Sequence, residues 1–426
     1  MTWLLVALLI AAAVAGAPLF AVLMGAAMVG FLAADIPLSV VAIEVYRIVD
    51  TPLLVTLPLF TFAGYLLAEA GTSRRLVNLV QSLFGGLPSG LALVGFVACA
   101  VFTALTGASG VTIVALGALL LPALTSAGYS ERFSLGLVTT SGSLGLLLVP
   151  SVPLILYGIV AQQMDVGEPF TISELFLAGV VPLLLMLAAL IVYTLWHHRG
   201  GAIPRTPFSR KKLAAALWEA RWELPMPVVV LGGIYSGWFA ISEAAAITAV
   251  YVTLVEVMLY KEIRWSELPK IMVDSMVMVG GILLILGVAL AFTNFLVDAE
   301  VPQRLFDFMQ AHVESAIGFL LLLNLLLLVL GAMLDIFSAL VIVVPLILPV
   351  AAGYGIHPVH LGIIFLANMQ IGYFTPPVGM NLFIASYRFD RQLLEIYAAC
   401  VPFMIVLLVA LMLITYGPWF SMVLIR

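Results

Sequence analysis

From its amino terminus the chain is a succession of apolar runs parted by short clusters of glycine, proline and charge. Runs over 2–16, 18–33, 52–69, 175–196, 224–239, 243–260, 276–297 and 393–419 read as membrane spans, for which about 20 apolar residues are needed. Two less hydrophobic stretches, 36–50 and 261–274, carry charges at helical spacing. Glu44 and Arg47 share a face in the first, and Arg264, Glu267, Lys270 and Asp274 recur in the second. That pattern predicts interfacial helices. Four more stretches are apolar but interrupted. The run 88–124 breaks at Thr106, Gly107, Ala108, Ser109 and Gly110, and 316–352 breaks within 331–338. Each predicts a re-entrant hairpin with a small polar tip. The helix over 133–160 should break between Gly145 and Pro150, and that over 358–387 between Gly372 and Pro377.

The order of elements repeats. At one offset of about 227 positions Pro122 falls on Pro349, Gly128 on Gly355, Gly145 on Gly372 and Pro150 on Pro377. Matched Gly and Pro at matched breaks point to an internal duplication. The first repeat covers 1–198, a basic linker 199–221, and the second repeat 222–426. With five spans per half, the second half enters the membrane from the opposite side. If the amino terminus lies outside, all 17 basic residues except Arg47, Arg304 and Arg426 face inward. The excess of Lys and Arg on cytoplasmic loops predicts both termini outside.

Composition excludes a soluble protein: 64% of the residues are hydrophobic and 9% charged, against about 25% charged in soluble domains. The alternating short segments of a β-barrel are absent. The first run lacks a basic leader and reads as a helix rather than a cleavable signal. Cys99 and Cys400 sit in apolar runs, so no disulfide framework is indicated.

Backbone groups freed by a break inside lipid cost several kcal/mol each unless protein, water or ligand satisfies them. The carbonyls before each break are hard oxygen ligands for a small cation, and the helices after it aim positive dipole ends at the centre. No Lys or Arg lies near the four breaks, so an anion there would be held by backbone. Candidate cation ligands are Thr106, Gly107, Ser109, Ser143 and Gly145 in the first half, and Asp335, Ser338, Gly372 and Thr375 in the second. Taken singly, the small residues equally fit close helix packing. Ser141, Pro150, Asn368, Gln370, Pro377 and Asn381 are the solute candidates. Asp335, the one acid of the predicted centre, is a cation ligand, a proton carrier or a helix cap. His357 and His360 read as a solvated helix end rather than a metal pair, and Trp218, Trp222 and Trp265 as interface anchors.

The chain resembles the large, M-type membrane subunit of tripartite ATP-independent periplasmic (TRAP) transporters. The likeness rests on SGSLGLLLVPSVPLILYG from Ser141, SEAAAITAVYVTLV from Ser242, GAMLDIFSALVIVVPLILP from Gly331 and PVHLGIIFLANMQIGYFTPPVGMN from Pro358. The resemblance implies an all-α inner-membrane protein of two inverted repeats, with an elevator-type architecture and no cofactor beyond sodium as coupling ion. It also implies a small four-helix partner subunit, a periplasmic binding protein and an organic-acid solute. A stand-alone anion carrier of the same architecture is the alternative. An intramembrane energy-converting enzyme would need histidine pairs or a chain of acids through the centre, and all five histidines fall outside the predicted centre.

Overall fold

The computed structural model describes residues 2–47, 51–87, 89–199, 208–313 and 315–425. The charged face expected at Glu44 and Arg47, the linker cation Arg205, Pro88 at the start of the first hairpin and the terminal Arg426 lie outside what it describes. The first half runs α1 (Thr2–Val14), α2 (Leu19–Ala33), α3 (Ser39–Arg47), α4 (Thr56–Glu69), α5 (Thr72–Phe84), α6 (Gly90–Thr106), α7 (Ser109–Ser126), α8 (Glu131–Ser141), α9 (Val152–Gln163) and α10 (Ile172–His197). The linker contributes α11 (Arg210–Glu219). The second half runs α12 (Pro225–Tyr235), α13 (Ile241–Thr253), α14 (Leu268–Asp298), α15 (Val301–His312), α16 (Ala316–Met333), α17 (Ile336–Gly353), α18 (Pro358–Gly372), α19 (Met380–Phe389), α20 (Leu393–Tyr416) and the short α21 (Trp419–Met422). Eight helices among the described residues are long and apolar enough to cross a membrane, or nine when α8 and α9, bent by 42°, are taken as one span.

The duplication holds element by element: shifted by the sequence offset, α7 lands on α17 and α6 on α16 within a residue. Both hairpins and both broken helices form as their sequences predict. Several expectations need correction. Helices α1, α2 and α12 have only 13, 15 and 11 residues, too short at 1.5 Å per residue to cross the hydrocarbon core unaided. The stretch 261–274 forms no interfacial helix of its own, because from Leu268 onward it is the start of the 31-residue α14. In the first half Pro52 opens a separate 3-10 turn between α3 and α4; its counterpart is Val279, and without a breaker the helix runs on. Finally, α5 and α15 are amphipathic helices at equivalent places, leading into the two hairpins.

The packing sorts the helices. α2, α3, α4, α13 and α14 pack on one another, while each hairpin packs on the broken helix of its own half, α6 and α7 on α8 and α16 on α18. The halves then cross over: α7 packs on α19 and α17 on α9. Hairpin and broken-helix residues, from Phe96 and Ile113 to Phe365 and Phe374, dominate the fully buried core.

Candidate functional site

The four breaks converge through specific residues. Gly107, at φ +69°, ends α6 in the left-handed conformation that glycine adopts without a Cβ clash. Ala108 follows, and α7 starts at Ser109. There the Ser109 hydroxyl donates to Asn381 Oδ1 of α19 at 2.9 Å. Asn381 in turn is held by its backbone N–H to Tyr373 O (2.9 Å) and by its amide to Thr139 O (3.4 Å). The first hairpin tip is therefore joined to the broken helix of the other half. Ser143 Oγ donates to Gln370 O at 2.9 Å across 227 residues, so the two are repeat-equivalent positions meeting between the breaks. Thr103, one turn before the first tip, donates to Gly142 O (2.8 Å) and lies 2.7 Å from Thr112 Oγ1. Each of the two broken helices carries a cis prolyl bond, Val149–Pro150 and Pro376–Pro377.

Gly145 and Gly372 do the same job in the two halves. A Cβ on Gly145 would sit 2.1 Å from Ala100 O, and one on Gly372 would sit 2.6 Å from the Gly331 backbone. Each glycine lets the unwound stretch lie directly on the first arm of its hairpin.

At the second tip Asp335 caps α17. Its Oδ1 accepts from the N–H groups of Phe337 and Ser338, both at 3.0 Å, and the Ser338 hydroxyl donates to Oδ2. Asp335 itself is exposed. Of its three sequence-level roles, the structure displays capping. Asp335→Ala is expected to cost about 1 kcal/mol of stability and Asp335→Asn less, as read from thermal unfolding of the purified protein. Tyr373 closes the same tip by accepting the Ile336 N–H at 2.9 Å, and Gly379 N–H donates to Ala332 O at 2.8 Å.

Other candidates are not brought to the breaks through their side chains. The hydroxyls of Thr106, Ser141 and Thr375 bond back to Phe102 O, Leu137 O and Ile371 O in their own helices. Asn368 faces Asn324 of α16 at 2.6 Å, and Gln370 Nε2 faces Met186 of α10. Their side-chain nitrogens turn to those neighbouring helices, while Asn368 Oδ1, Gln370 Oε1 and Thr139 Oγ1 are buried with no partner among the described residues. Pro150 is buried and Pro377 exposed.

Sequence reasoning missed several groups. Asn324 binds both Asn368 and Thr415, and a lone amide within the leucine run of α16 was its signal. Thr103 and Thr112 flank the first tip at helical spacing. His360 is no solvated helix end. It is 4% exposed, bonded to Ser421 Oγ at 2.7 Å and to Thr415 O at 3.2 Å, because α20 and α21 fold over it. His357 does stand at the helix end, capping α18 through the Val359 N–H. Among the described residues no group of three or more His, Cys, Asp or Glu could hold a metal ion.

The largest omission is a buried ion cluster beside the first hairpin. Arg75 of α5 is 4% exposed and reaches Glu223 (2.6 Å), Glu256 (3.1 Å) and Glu262 (2.7 Å). A π-helical turn ending α13 carries Glu256. Burial works against the Glu262 carboxylate, but hydrogen bonds from Arg75 and the Gly71 N–H outweigh it and hold its pKa below the usual range. Trp218, Trp222 and Trp265 are exposed, with Arg221 stacked over the first two, as interface anchors would be.

Comparison with known proteins places this arrangement. The chain is 36% identical over 428 residues to the C4-dicarboxylate TRAP transporter large permease protein DctM of Rhodobacter capsulatus, covering 98% of this chain and 97% of that one. It is 33% identical to the sialic acid TRAP transporter large permease protein SiaM of Vibrio cholerae, over 88% and 87% of the two chains. The crystal structure of the Alcanivorax borkumensis YdaH transporter superposes with a TM-score of 0.62 at 15% identity, over 87% and 84% of the chains. That last likeness shows the fold alone, an all-helical architecture. The family model for the tripartite ATP-independent periplasmic transporter DctM component matches residues 2–420. The chain thus belongs to the DctM family: it is a multi-pass inner-membrane transport permease, not an enzyme.

Proposed function

We propose that the protein is the large subunit of a sodium-coupled importer for an organic acid, loaded by a periplasmic binding protein and working by an elevator movement. The observation that carries this reading is the bond from Ser109 to Asn381. It joins a hairpin tip to the opposite half's broken helix and gathers hydroxyl, amide and carbonyl oxygens in a site that is 3% exposed at Ser109 and fully buried at Asn381. Such hard, neutral oxygens suit a monovalent cation. Ser143, Gly145, Gly107 and Thr106 complete the first candidate cation site. Ser338, Gly372, Thr375 and Asp335 make the second.

The anion needs no arginine. Of the four helices that start at the breaks, only α17 has a side-chain cap; α7, α9 and α19 have none. Their first-turn N–H groups are donors for a carboxylate, strengthened by the helix dipole. The named solutes of the two relatives, a C4-dicarboxylate and sialic acid, are themselves carboxylates. In this reading the hairpins, the broken helices, α10 and α20 move as one body against α2, α3, α4, α13 and α14. A small four-helix subunit supports the latter group. Charge favours both termini on the periplasmic side, since most basic residues then lie in the cytoplasm.

Sodium titration of uptake in proteoliposomes tests the site. Ser109→Ala and Asn381→Ala are each expected to raise the sodium concentration for half-maximal uptake by about tenfold, the effect of losing roughly one charge-assisted hydrogen bond or ligand. Folded variants with unchanged sodium dependence would contradict the assignment.

A further inference from the structure

We propose that the cavity between α14, α15, α17 and the end of α9 is a second binding site, for an ammonium-bearing amphiphile. It has a volume of about 340 Å³, within the range of small-molecule sites. Its walls are mainly apolar, with Met164, Val166, Leu290, Val297 and Pro349 among them. Five polar side chains interrupt that lining, Gln163, Thr293, Asn294, Glu300 and Gln303, and three of them, Gln163, Thr293 and Glu300, want a donor. Thr293 is 7% exposed, and its hydroxyl has no hydrogen bond among the described residues. Gln163 Oε1 is buried without a partner there. Glu300 stands exposed at the rim, and among the described residues no Lys or Arg lines the cavity. A buried acceptor left unmade costs about 1–3 kcal/mol, so a ligand that donates to Gln163 Oε1 removes a real penalty, and the Thr293 hydroxyl offers a second acceptor beside it. A positive charge near Glu300 adds attraction, and a carboxylate is repelled.

The repeat does not dictate this opening. The positions equivalent to Thr293, Asn294 and Pro302 are Leu66, Leu67 and Arg75, where two buried leucines and the ion cluster fill the space. The cavity also lies between packing groups: α14 belongs with α2, α3 and α4, whereas α17 packs on α9 and α18. An occupant bridges them. On the elevator reading, which this consequence rests on, the occupant slows transport without competing for solute.

The site itself is tested without transport. The full chain carrying Val297→Cys, at the half-exposed rim, is placed in lipid nanodiscs and labelled with a maleimide. Cys99 and Cys400 are buried and stay silent. n-Octylammonium is expected to slow labelling at least fivefold, and octanoate not at all. Adding Thr293→Val with Gln163→Leu should raise the half-protecting concentration at least tenfold. A Phe308→Cys control on α15 should show no protection. Equal protection by octanoate, equal protection of the control, or no slowing would overturn the site. As a check free of substitutions, a photoreactive octylamine should crosslink the unaltered chain within residues 163–166 or 290–303 or at Pro349, and crosslinking confined to other residues would also overturn it. In uptake assays n-octylammonium should lower the maximal rate and leave the solute's half-saturation unchanged. A competitive pattern would overturn the consequence for transport, while the labelling result stands by itself.

Discussion

Alanine at Gly145 is expected to abolish most transport and to destabilise the protein by about 3 kcal/mol, the upper end of the ordinary cost of overpacking a core. The added Cβ would lie 2.1 Å from Ala100 O and 2.6 Å from Ala104 N. These are backbone atoms of α6, so no flexible side chain can move aside. The unwound stretch must then lift off the hairpin, pulling Ser143 away from Gln370. Gly372→Ala should behave alike, since its Cβ meets the Gly331 backbone at 2.6 Å. Gly232→Ala in α12, where no atom lies within 4 Å of the new methyl, should leave stability and uptake near wild type. Thermal unfolding of purified variants, paired with uptake in proteoliposomes, checks all three.

The second large effect lies at the ion cluster. Arg75→Met strands Glu256, which is 0% exposed, beside Glu223 and Glu262, with the exposed Arg74, 3.8 Å from Glu262, the nearest remaining cation. Removing one partner of a buried pair costs roughly 3–5 kcal/mol, because the remaining charge stays desolvated. The double variant Arg75→Met with Glu256→Gln is expected to recover part of that loss. Arg75→Lys should fall between, since an ammonium cannot match the guanidinium fork that reaches three carboxylates at once. Unfolding temperatures order the series. A double variant no more stable than Arg75→Met would contradict the pairing.

Much of this fold was legible because breaks are written in backbone chemistry. Gly145 and Pro150 recur as Gly372 and Pro377, and residues that control backbone geometry announce a hairpin or an unwound turn without reference to neighbours. The limits were equally physical. One proline separates the break at Pro52 from the unbroken helix at Val279, a difference that shows only when the two repeats are set side by side. Hydropathy alone could not separate spans from the short α1, α2 and α12. The amphipathic α5 was overlooked because its charges looked like an ordinary cytoplasmic loop, when Arg75 is in truth buried among acids from segments about 150 to 190 residues away. The candidate site was legible as a region rather than as contacts. Ser109, Ser143 and Asn381 do meet across the halves. Thr106, Ser141 and Thr375 shared their polarity but spend it on carbonyls of their own helices, which only the rotamers reveal.

The most direct test is uptake of labelled organic acids by proteoliposomes holding this subunit and its small partner, with sodium gradient and periplasmic binding protein each present or withheld. The account predicts concentrative uptake only when sodium gradient and binding protein are present together. Equal accumulation without the binding protein, or without sodium, would contradict it.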